Sequence, residues 1–306
     1  MVVNVAASIA GKLKNHAKAN GHDVMVVFRR YAQERFVYRL SVSPEKDLFC
    51  LKGGVLLAAH NGGDLKRPTT DIDFHGFDVN GNIENLKKSI LNILSHPVEY
   101  DGVIFLPESM RVAKDREGAI PGGKVVLTAM IHTARVEVRI DVGFGNAITP
   151  NATIITMPTL MPEIAPAPVI SAYPMETVVS EKFHAMAQHG LASTRMKDYF
   201  DLMWISDTFE FKGETLKNAI ISTFKQQRRE IPLEPDGLSE RMIAANSKQW
   251  IAYVQRQGID APLEFNEVVD KVSNFLQPVI SATHDLIEPG DWTPGTGWSG
   301  QHLPHP

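Results

Sequence analysis

The chain has 306 residues and a formal net charge of −4, with 43% hydrophobic and 22% charged residues. These values are typical of a folded protein of roughly two domains, and the acidic balance argues against a dedicated DNA-binding domain. The single cysteine, Cys50, excludes an internal disulfide. No apolar stretch approaches the roughly 20 residues of a membrane span. Residues 1–10 are apolar without a preceding basic residue, so we interpret them as the start of an amphipathic helix and expect a cytoplasmic protein without membrane contact.

The first half of the chain alternates between helical and strand patterns. In chain order we predict helices over 3–20 and 23–40, a short buried strand over 48–51, a helix over 55–60, a loop over 61–70, a strand over 71–77, a helix over 83–94 and strands over 103–113, 124–132 and 135–142. Asp23 is the expected cap of the second helix, and Cys50 is expected to be a buried strand residue. Short turns between the last three strands predict antiparallel neighbours.

The second half is helical after a proline-rich connector over 149–174, in which we predict one strand over 153–156. The predicted helices cover 175–188, 195–206, 214–229, 239–257 and 266–284. We therefore predict an α+β fold with a mixed β-sheet flanked by helices, followed by a C-terminal helical domain. The predicted boundaries are N-terminal helices over 1–45, an α/β core over 46–160, a helical domain over 161–287 and a loose tail over 288–306.

Three aspartates lie on two predicted strands. Asp71 and Asp73 are two residues apart, so a strand directs both carboxylates to one side of the sheet. Their mutual repulsion would be relieved by a divalent cation, and hard oxygen ligands suit Mg²⁺, with Mn²⁺ as the alternative. Asp141 ends another strand and completes a metal-ligand set for phosphoryl or nucleotidyl transfer if the two strands are neighbours. The alternative interpretation is a solvated strand face with Asp141 capping a turn.

The sequence Lys52-Gly53-Gly54 lies between a predicted strand and a predicted helix. Two glycines there allow the backbone to approach a phosphate at the start of the helix. A glycine pair alone is more often a plain turn, but here it precedes the Asp-x-Asp strand. That order of elements is much rarer by chance.

The order strand, Gly-Gly, helix, Asp-x-Asp strand and later strand Asp resembles the nucleotidyltransferase (polymerase-β-like) superfamily. Residues 51–54 and 67–74 are similar to the AbiEii/AbiGii abortive-infection toxins, a MenT-like, type IV toxin–antitoxin branch. Residues 140–145, 181–186 and 195–202 match further motifs of that branch, and the resemblance covers about half of the chain. One departure is Gly54, where the second small residue of the turn is often Ser, so a hydroxyl contact to a phosphate would be lost.

The resemblance implies a cytoplasmic Mg²⁺-dependent toxin that transfers NMP from an NTP to an RNA acceptor, a tRNA 3′ end, and that has an antitoxin partner. The implied metal ligands are Asp71, Asp73 and Asp141, which are catalytic together with Lys182 and Asp198. The implied nucleotide-binding residues are Lys52, Gly53, Gly54, Arg67, Thr70, Lys182, Arg195 and Asp201. In this hypothesis Asp141 helps to deprotonate the attacking hydroxyl, Lys182 contacts the triphosphate, and Asp198 orients Lys182 or activates the acceptor.

Three alternatives remain open on the residues alone. Transfer could be to a small molecule or to a protein, or the chain could be a non-catalytic NTP-binding module. Because the net charge is negative, an RNA partner requires a local basic patch. The candidates are Arg29 with Arg30, the run Arg111, Lys114 and Arg116, and the run Lys225, Arg228 and Arg229, each of which is more often a solvated face. We interpret His184 as a satisfied, partly buried histidine.

Overall fold

The computed structural model describes residues 5–64, 66–77, 82–115 and 122–299. The chain forms two compact units. One comprises Met1–Gly145 and Thr153–Ala172, and we call it the sheet unit. The other comprises Asn146–Ala152 and Tyr173–Pro306, and we call it the helical unit. The chain thus crosses between the units after residues 145, 152 and 172, whereas the sequence predicted a single boundary at 160.

The sheet unit is a mixed sheet with helices. In chain order its elements are α1 (Val5–Ala19), α2 (Val24–Val42), β1 (Phe49–Lys52), α3 (Gly53–His60), β2 (Asp71–Gly76), α4 (Ile83–Ser95), β3 (Val103–Asp115), β4 (Gly122–Ile131), β5 (Ala134–Phe144), β6 (Thr153–Thr156) and β7 (Val169–Ala172). Within the described residues, the seven strands are ordered β3-β4-β5-β2-β1-β7-β6. The pairs β2–β5 and β1–β7 are parallel, and the other pairs are antiparallel. The predicted antiparallel succession of β3, β4 and β5 is therefore confirmed.

Helix α2 packs against the sheet through its buried face. Phe36 contacts Phe74 of β2 with 6.4 Å between ring centroids, and Phe74 in turn contacts Phe49 of β1 at 5.8 Å. The same helix buries Arg39, whose guanidinium donates to both oxygens of Asp101 at 2.7 and 3.0 Å. A buried charge is tolerated only when it is paired in this way. Helix α2 thus fixes β1 and β2 from one side of the sheet.

The helical unit follows in the second half of the chain. Its elements are α5 (Met175–His189), α6 (Met196–Thr208), β8 (Phe211–Lys212), α7 (Gly213–Gln226), α8 (Glu240–Gln257), α9 (Phe265–Thr283), β9 (Asp291–Thr293) and β10 (Gly297–Trp298). Aromatic rings build its core. Phe183 contacts Phe224 at 5.1 Å between centroids, and Phe265 contacts both Tyr199 and Trp250, at 5.1 and 5.4 Å. Every helix in the described part of the chain is too short or too polar to cross a membrane.

Two local predictions are confirmed and two are wrong. Asp23 caps α2 by accepting hydrogen bonds from the backbone of Met25 and Val26 at 2.8 and 3.1 Å, and Cys50 is buried in β1. The connector over 149–174 contains a second strand, β7, which pairs with β1 and so is a sheet element. The tail is not loose over 291–299, because β8, β9 and β10 form a small sheet. Residues 300–306 of the predicted tail lie outside the described residues.

Candidate active site

The three aspartates lie on the neighbouring parallel strands β2 and β5. The register pairs Asp73 with Asp141 and Asp71 with Arg139. Their intervening neighbours Ile72 and Ile140 are fully buried, so alternation turns the aspartates to the opposite, accessible face. The strands of Asp71 and Asp141 are therefore adjacent, as the metal-ligand set predicted from the sequence requires.

Cationic residues flank the carboxylates on the same face. Lys52 at the end of β1 is opposite Asp73, and Lys124 of β4 is opposite Asp141. The hydrogen bond and charge of Glu137, followed by the weaker charges of Asp71 and Asp141, raise the pKa of Arg139. The register thus sets a positive residue beside each carboxylate, on a face where the acids are only partly buried.

The Gly53–Gly54 turn requires both of its glycines. Gly53 has a φ of +69°, and a Cβ there would overlap the side chain of Asp73, with its Cγ only 2.6 Å away. A Cβ on Gly54 would lie 2.6 Å from Oγ1 and 2.9 Å from Cβ of Thr69. Real Cβ atoms do not approach other atoms so closely, so any larger residue would displace side chains of the strand and its preceding loop. The glycines therefore bring the start of α3 directly against Asp73 and Thr69.

The loop before β2 is fixed by its backbone. Gln33 of α2 is 4% exposed and donates through Nε2 to the carbonyl oxygen of Thr70 at 2.8 Å. The side chain of Thr70 itself is exposed. Arg67 is partly buried and donates to the carbonyl of Pro68 at 3.4 Å. Both predicted nucleotide-binding residues thus lie in the segment that leads into the Asp71 strand, and their contact with nucleotide stays a prediction.

The carboxylate face fits a divalent cation in donor chemistry. Oδ1 of Asp71 is buried and accepts no hydrogen bond from any described residue. An unsatisfied carboxylate oxygen is costly unless a cation or a ligand supplies its partner. As the side chains stand, no three acidic, histidine or cysteine groups in the described part of the chain converge as a ready metal cage. The register nevertheless places Asp73 beside Asp141, and Asp71 is two residues from Asp73 on the same face. Mg²⁺ is usually bound by one or two such carboxylates together with substrate phosphates.

In the helical unit, the other predicted residues form one ion-pair cluster. Nζ of Lys182 on α5 donates to Oδ1 of Asp198 at 3.1 Å and to Oδ2 of Asp201 at 2.5 Å, both on α6. Nε of Arg195 donates to the other oxygen of Asp198 at 2.6 Å. The two aspartates are 1% and 2% exposed. The helix spacing therefore brings together all four residues singled out from the sequence, and both aspartates hold the Lys182 ammonium.

The cluster keeps Asp198 ionised. Burial alone would raise the pKa of the Asp198 carboxyl, but the charges of Lys182 and Arg195 and the hydrogen bond from Arg195 together lower it to about 2. Asp198 is therefore a permanent anion near neutral pH. Such a group orients a cation well and cannot act there as a general acid.

The interpretation of His184 as a satisfied histidine is wrong. The residue is buried, and its Nε2 has no hydrogen-bond partner among the described residues. Burial first, and then the charge of Arg229, lower the pKa of its imidazole to about 4. The ring packs edge-on against Phe224 at 5.1 Å between centroids, so His184 is a neutral core residue.

The candidate basic patches differ in accessibility. Arg30 donates to the carbonyl of Gly63, whereas the Arg111 side chain is 77% exposed on β3. Lys225 and Arg229 line a cleft of about 370 Å³ in the helical unit. Arg116 lies outside the described residues.

A solved structure shares the fold of this chain. The chain is similar over its fold to MenT4, a nucleotidyltransferase toxin from Mycobacterium tuberculosis H37Rv, with 16% identity, a TM-score of 0.57 and coverage of 92% of this chain and 90% of that chain. It also matches JHP933 from Helicobacter pylori, with 14% identity, a TM-score of 0.43 and coverage of 85% and 93%. No curated protein gives a significant match.

The family assignment rests on a sequence model. The model of the nucleotidyl transferase AbiEii toxin of type IV toxin–antitoxin systems matches residues 35–271, which is more than half of the chain. The match includes both predicted motif groups, the aspartates of the sheet unit and the cluster around Lys182. The chain therefore belongs to the AbiEii family and is a nucleotidyltransferase toxin, for which the family implies an NTP substrate and an antitoxin partner.

Proposed function

We propose that the chain transfers NMP from an NTP to the 3′ end of an RNA, a tRNA in the simplest case, with Mg²⁺ held by Asp71, Asp73 and Asp141. The observation that carries this proposal is the parallel register that sets Asp73 beside Asp141, with Asp71 on the same face and the Gly53–Gly54 turn against Asp73. The carboxylates and the proposed phosphate-binding turn then lie together at the central strands β5, β2 and β1 of the sheet unit.

The carboxylate face supports a metal-assisted transfer. Bound Mg²⁺ would stabilise negative charge on the phosphate oxygens during transfer. The backbone N–H groups at the start of α3 are available to bind an anion, since the first turn of a helix leaves its donors without intrahelical partners. Asp73 lies over Gly53 at this point, so the phosphates and the carboxylates share one location.

The reaction is a substitution at the α-phosphorus of the NTP. The acceptor hydroxyl oxygen forms the new bond, the bond to the β-phosphate breaks, and pyrophosphate leaves. We assign the acceptor proton to the carboxylate of Asp141, which lies on β5 next to Asp73. In the helical unit, Asp198 and Asp201 orient the ammonium of Lys182, and its contact with nucleotide phosphate stays a prediction of the sequence motif.

An RNA acceptor is favoured by the cations around the carboxylates. Arg111, Lys124 and Arg139 belong to neighbouring register positions of β3, β4 and β5, and the side chains of Arg111 and Arg139 are 77% and 53% exposed. Exposed arginines are suited to phosphate backbones. Both arginines pair with Glu137, at 3.8 and 2.7 Å, and together with Lys124 they fit a polyanionic acceptor better than a cationic small molecule such as an aminoglycoside.

The test is transfer of label from each NTP labelled at the α-phosphate, incubated with the protein, Mg²⁺ and total tRNA. We expect label on RNA with the wild type and none with the double variant Asp71→Asn, Asp73→Asn. Asp47→Asn is the control of matched chemistry, because Asp47 is an exposed aspartate in the short helical turn before β1. Label that appears only on protein, or only on a small molecule from a cell extract, would overturn the RNA assignment.

Omission of the metal tests the cofactor separately. We expect chelation by EDTA to abolish transfer, and Mg²⁺ or Mn²⁺ to restore it. Transfer that persists in EDTA would overturn the metal proposal and leave the nucleotidyltransferase assignment intact.

A further inference from the structure

A hydroxyl group lies at the Gly-Gly turn although the turn itself carries none. Asp73 covers Gly53, and Thr69, two residues before β2, covers Gly54. A Cβ on residue 54 would lie 2.6 Å from Oγ1 of Thr69. The Thr69 hydroxyl therefore occupies the space that a side chain on residue 54 would otherwise fill.

The Thr69 hydroxyl is weakly engaged in its own loop. It donates to the carbonyl oxygen of Asp71 at 3.5 Å, which is beyond the usual range of 2.5–3.0 Å for a hydroxyl donor. The residue is partly exposed. Because a hydroxyl hydrogen rotates to suit its surroundings, this donor can turn to a stronger acceptor without moving the backbone.

We propose that the Thr69 hydroxyl donates a hydrogen bond to the triphosphate of the bound NTP, in place of a side chain on residue 54. This inference rests on the proposed function, because it assumes that the phosphates bind at the start of α3. The Thr69 hydroxyl would then replace the hydroxyl contact that the sequence predicts to be lost with Gly54. Thr69 then determines phosphate affinity together with the α3 backbone.

The neighbouring groups make this contact specific for phosphate. The Thr69 hydroxyl and the backbone of Gly53 and Gly54 can donate hydrogen bonds, whereas Asp71 and Asp73 would repel a bare anion. A donor from the loop beside Gly54 would help to hold the phosphates while the carboxylates face the metal. Hydrogen bonds to a charged acceptor are stronger than neutral ones, so a single hydroxyl contributes measurably.

The direct test compares Thr69→Val, which keeps the shape and removes the hydroxyl, with Thr69→Ser, which keeps the hydroxyl. The measurement is the affinity of a non-hydrolysable α,β-methylene NTP and of the corresponding nucleoside, by calorimetry with Mg²⁺. We expect Thr69→Val to weaken NTP binding roughly tenfold to a hundredfold and to leave nucleoside binding unchanged. Thr69→Ser should stay close to the wild type. Thr156→Val, an exposed threonine on β6 of the same unit, is the control.

A second variant pair restores the hydroxyl from the other side. Gly54→Ser alone should weaken NTP binding, because its Cβ meets Thr69 at 2.6 and 2.9 Å. Thr69→Gly alone should also weaken binding, since the hydroxyl is lost. The double variant Gly54→Ser, Thr69→Gly should recover at least half of the lost affinity on a logarithmic scale, because the serine then fills the emptied space.

The outcomes separate this inference from the proposed function. If the wild type binds NTP and Thr69→Val binds it equally well, the assignment to Thr69 is overturned and the nucleotidyl transfer proposal stands. If Thr69→Val weakens nucleoside and NTP binding by the same factor, the effect is not on phosphate and the assignment is again overturned. If the wild type binds no NTP, both proposals fail.

Discussion

The two acidic clusters of the chain differ in how their charge is held. In the sheet unit, Asp71 and Asp73 are partly exposed, and one buried oxygen of Asp71 lacks a partner among the described residues. In the helical unit, Asp198 and Asp201 are almost completely buried, and both accept hydrogen bonds from Lys182. Aspartates therefore form two different clusters. Asp71 and Asp73 belong to the accessible cluster of the sheet unit, and Asp198 and Asp201 belong to the closed cluster of the helical unit.

This difference teaches which cluster can bind a ligand. A partly solvated carboxylate can exchange water or a lysine for a metal ion at small cost, whereas opening a buried ion pair leaves an uncompensated charge. The acidic face of the sheet unit is therefore suited to capture of a cation and its phosphates. The helical cluster is suited to holding the Lys182 ammonium in one orientation.

The largest effect should come from Asp71→Asn, which removes one charge from the accessible cluster. We expect nucleotidyl transfer to fall by roughly 10²- to 10³-fold, the scale for removing one preorganised electrostatic group. Stability should be nearly unchanged, because the replaced oxygen has no hydrogen-bond partner to lose. The measurements are the initial rate of label transfer and the midpoint of urea unfolding.

Two results would contradict that prediction. A variant that transfers at the wild-type rate would show that Asp71 is not a ligand or catalyst. A variant that unfolds at much lower urea would show that Asp71 supports the fold. Asp47→Asn, an aspartate in the short helical turn before β1, serves as the surface control.

For Asp198→Ala in the closed cluster we expect a loss of stability. Removal of one partner from a buried ion pair costs about 3–5 kcal/mol of unfolding free energy, and we expect the lower end because Asp201 still accepts from Lys182. Urea unfolding measures the loss. Asp207→Ala, whose partner Lys271 is 42% exposed, is the control and should cost less than about 1 kcal/mol.

Unchanged stability of Asp198→Ala would contradict the difference between the closed and the accessible cluster. The cluster would then be replaceable by solvent, and its charges would be as exchangeable as those of the sheet unit. The same conclusion would follow if the Asp207→Ala control lost as much stability.

The sequence predicted most elements because their signals are local. The alternation of Val136, Val138 and Ile140 in β5 and the cap at Asp23 both act within a few residues. The strand β7 was missed because Val169–Ala172 lies in a proline-rich segment, and its partner β1 is far away in the chain.

The tail was missed for the same physical reason. Its composition of Gly, Pro and Trp indicates a loop, but its stability comes from distant contacts. Trp292 donates to the carbonyl of Ser206 at 2.9 Å, and Trp298 donates to that of Phe275 at 3.0 Å. Such partners cannot be identified from the pattern around residue 292.

The candidate site shows the same limit. The Asp-x-Asp spacing and the glycine pair predicted where chemistry would occur, because both act through neighbouring residues. The position of Thr69 over Gly54 could not be predicted, since it depends on how the loop over 61–70 returns to the turn. One available signal was that Thr69 lies two residues before Asp71, the spacing at which strand residues share a face.

A smaller effect is expected for Gly53→Ala, which tests the contact between turn and carboxylate. The positive φ of +69° costs an alanine about 1–2 kcal/mol, and its Cβ would displace the Asp73 carboxylate. We therefore expect transfer to fall more steeply than stability, with metal affinity reduced as well. Gly62→Ala, at a φ of +66° with open space around it, is the matched control for strain alone. Equal losses of transfer in the two variants would show that strain, and not Asp73, is responsible.

The smallest effect should be a pH dependence of stability in the helical unit, where the pKa values of His184 and Asp198 are both lowered. The imidazole of His184 titrates near 4 in the folded state against 6.5 for the ordinary group, because of its burial, the charge of Arg229 and the weaker, partly opposing charges of Glu181 and His189. Between these values the unfolded chain binds more protons, so the unfolding free energy rises with pH. Its contribution is complete above pH 6.5 and declines as the pH falls towards 4.

A variant isolates the contribution of His184 from other groups. The carboxyl of Asp198 acts in a lower window, from its ordinary value of 3.8 down to about 2, and so does not overlap. We expect the difference in urea unfolding free energy between wild type and His184→Gln to change between pH 6.5 and 4, and to be constant from pH 7 to 8. A difference that stays constant from pH 4 to 8 would show that the imidazole binds a proton as readily in the folded chain as in the unfolded one.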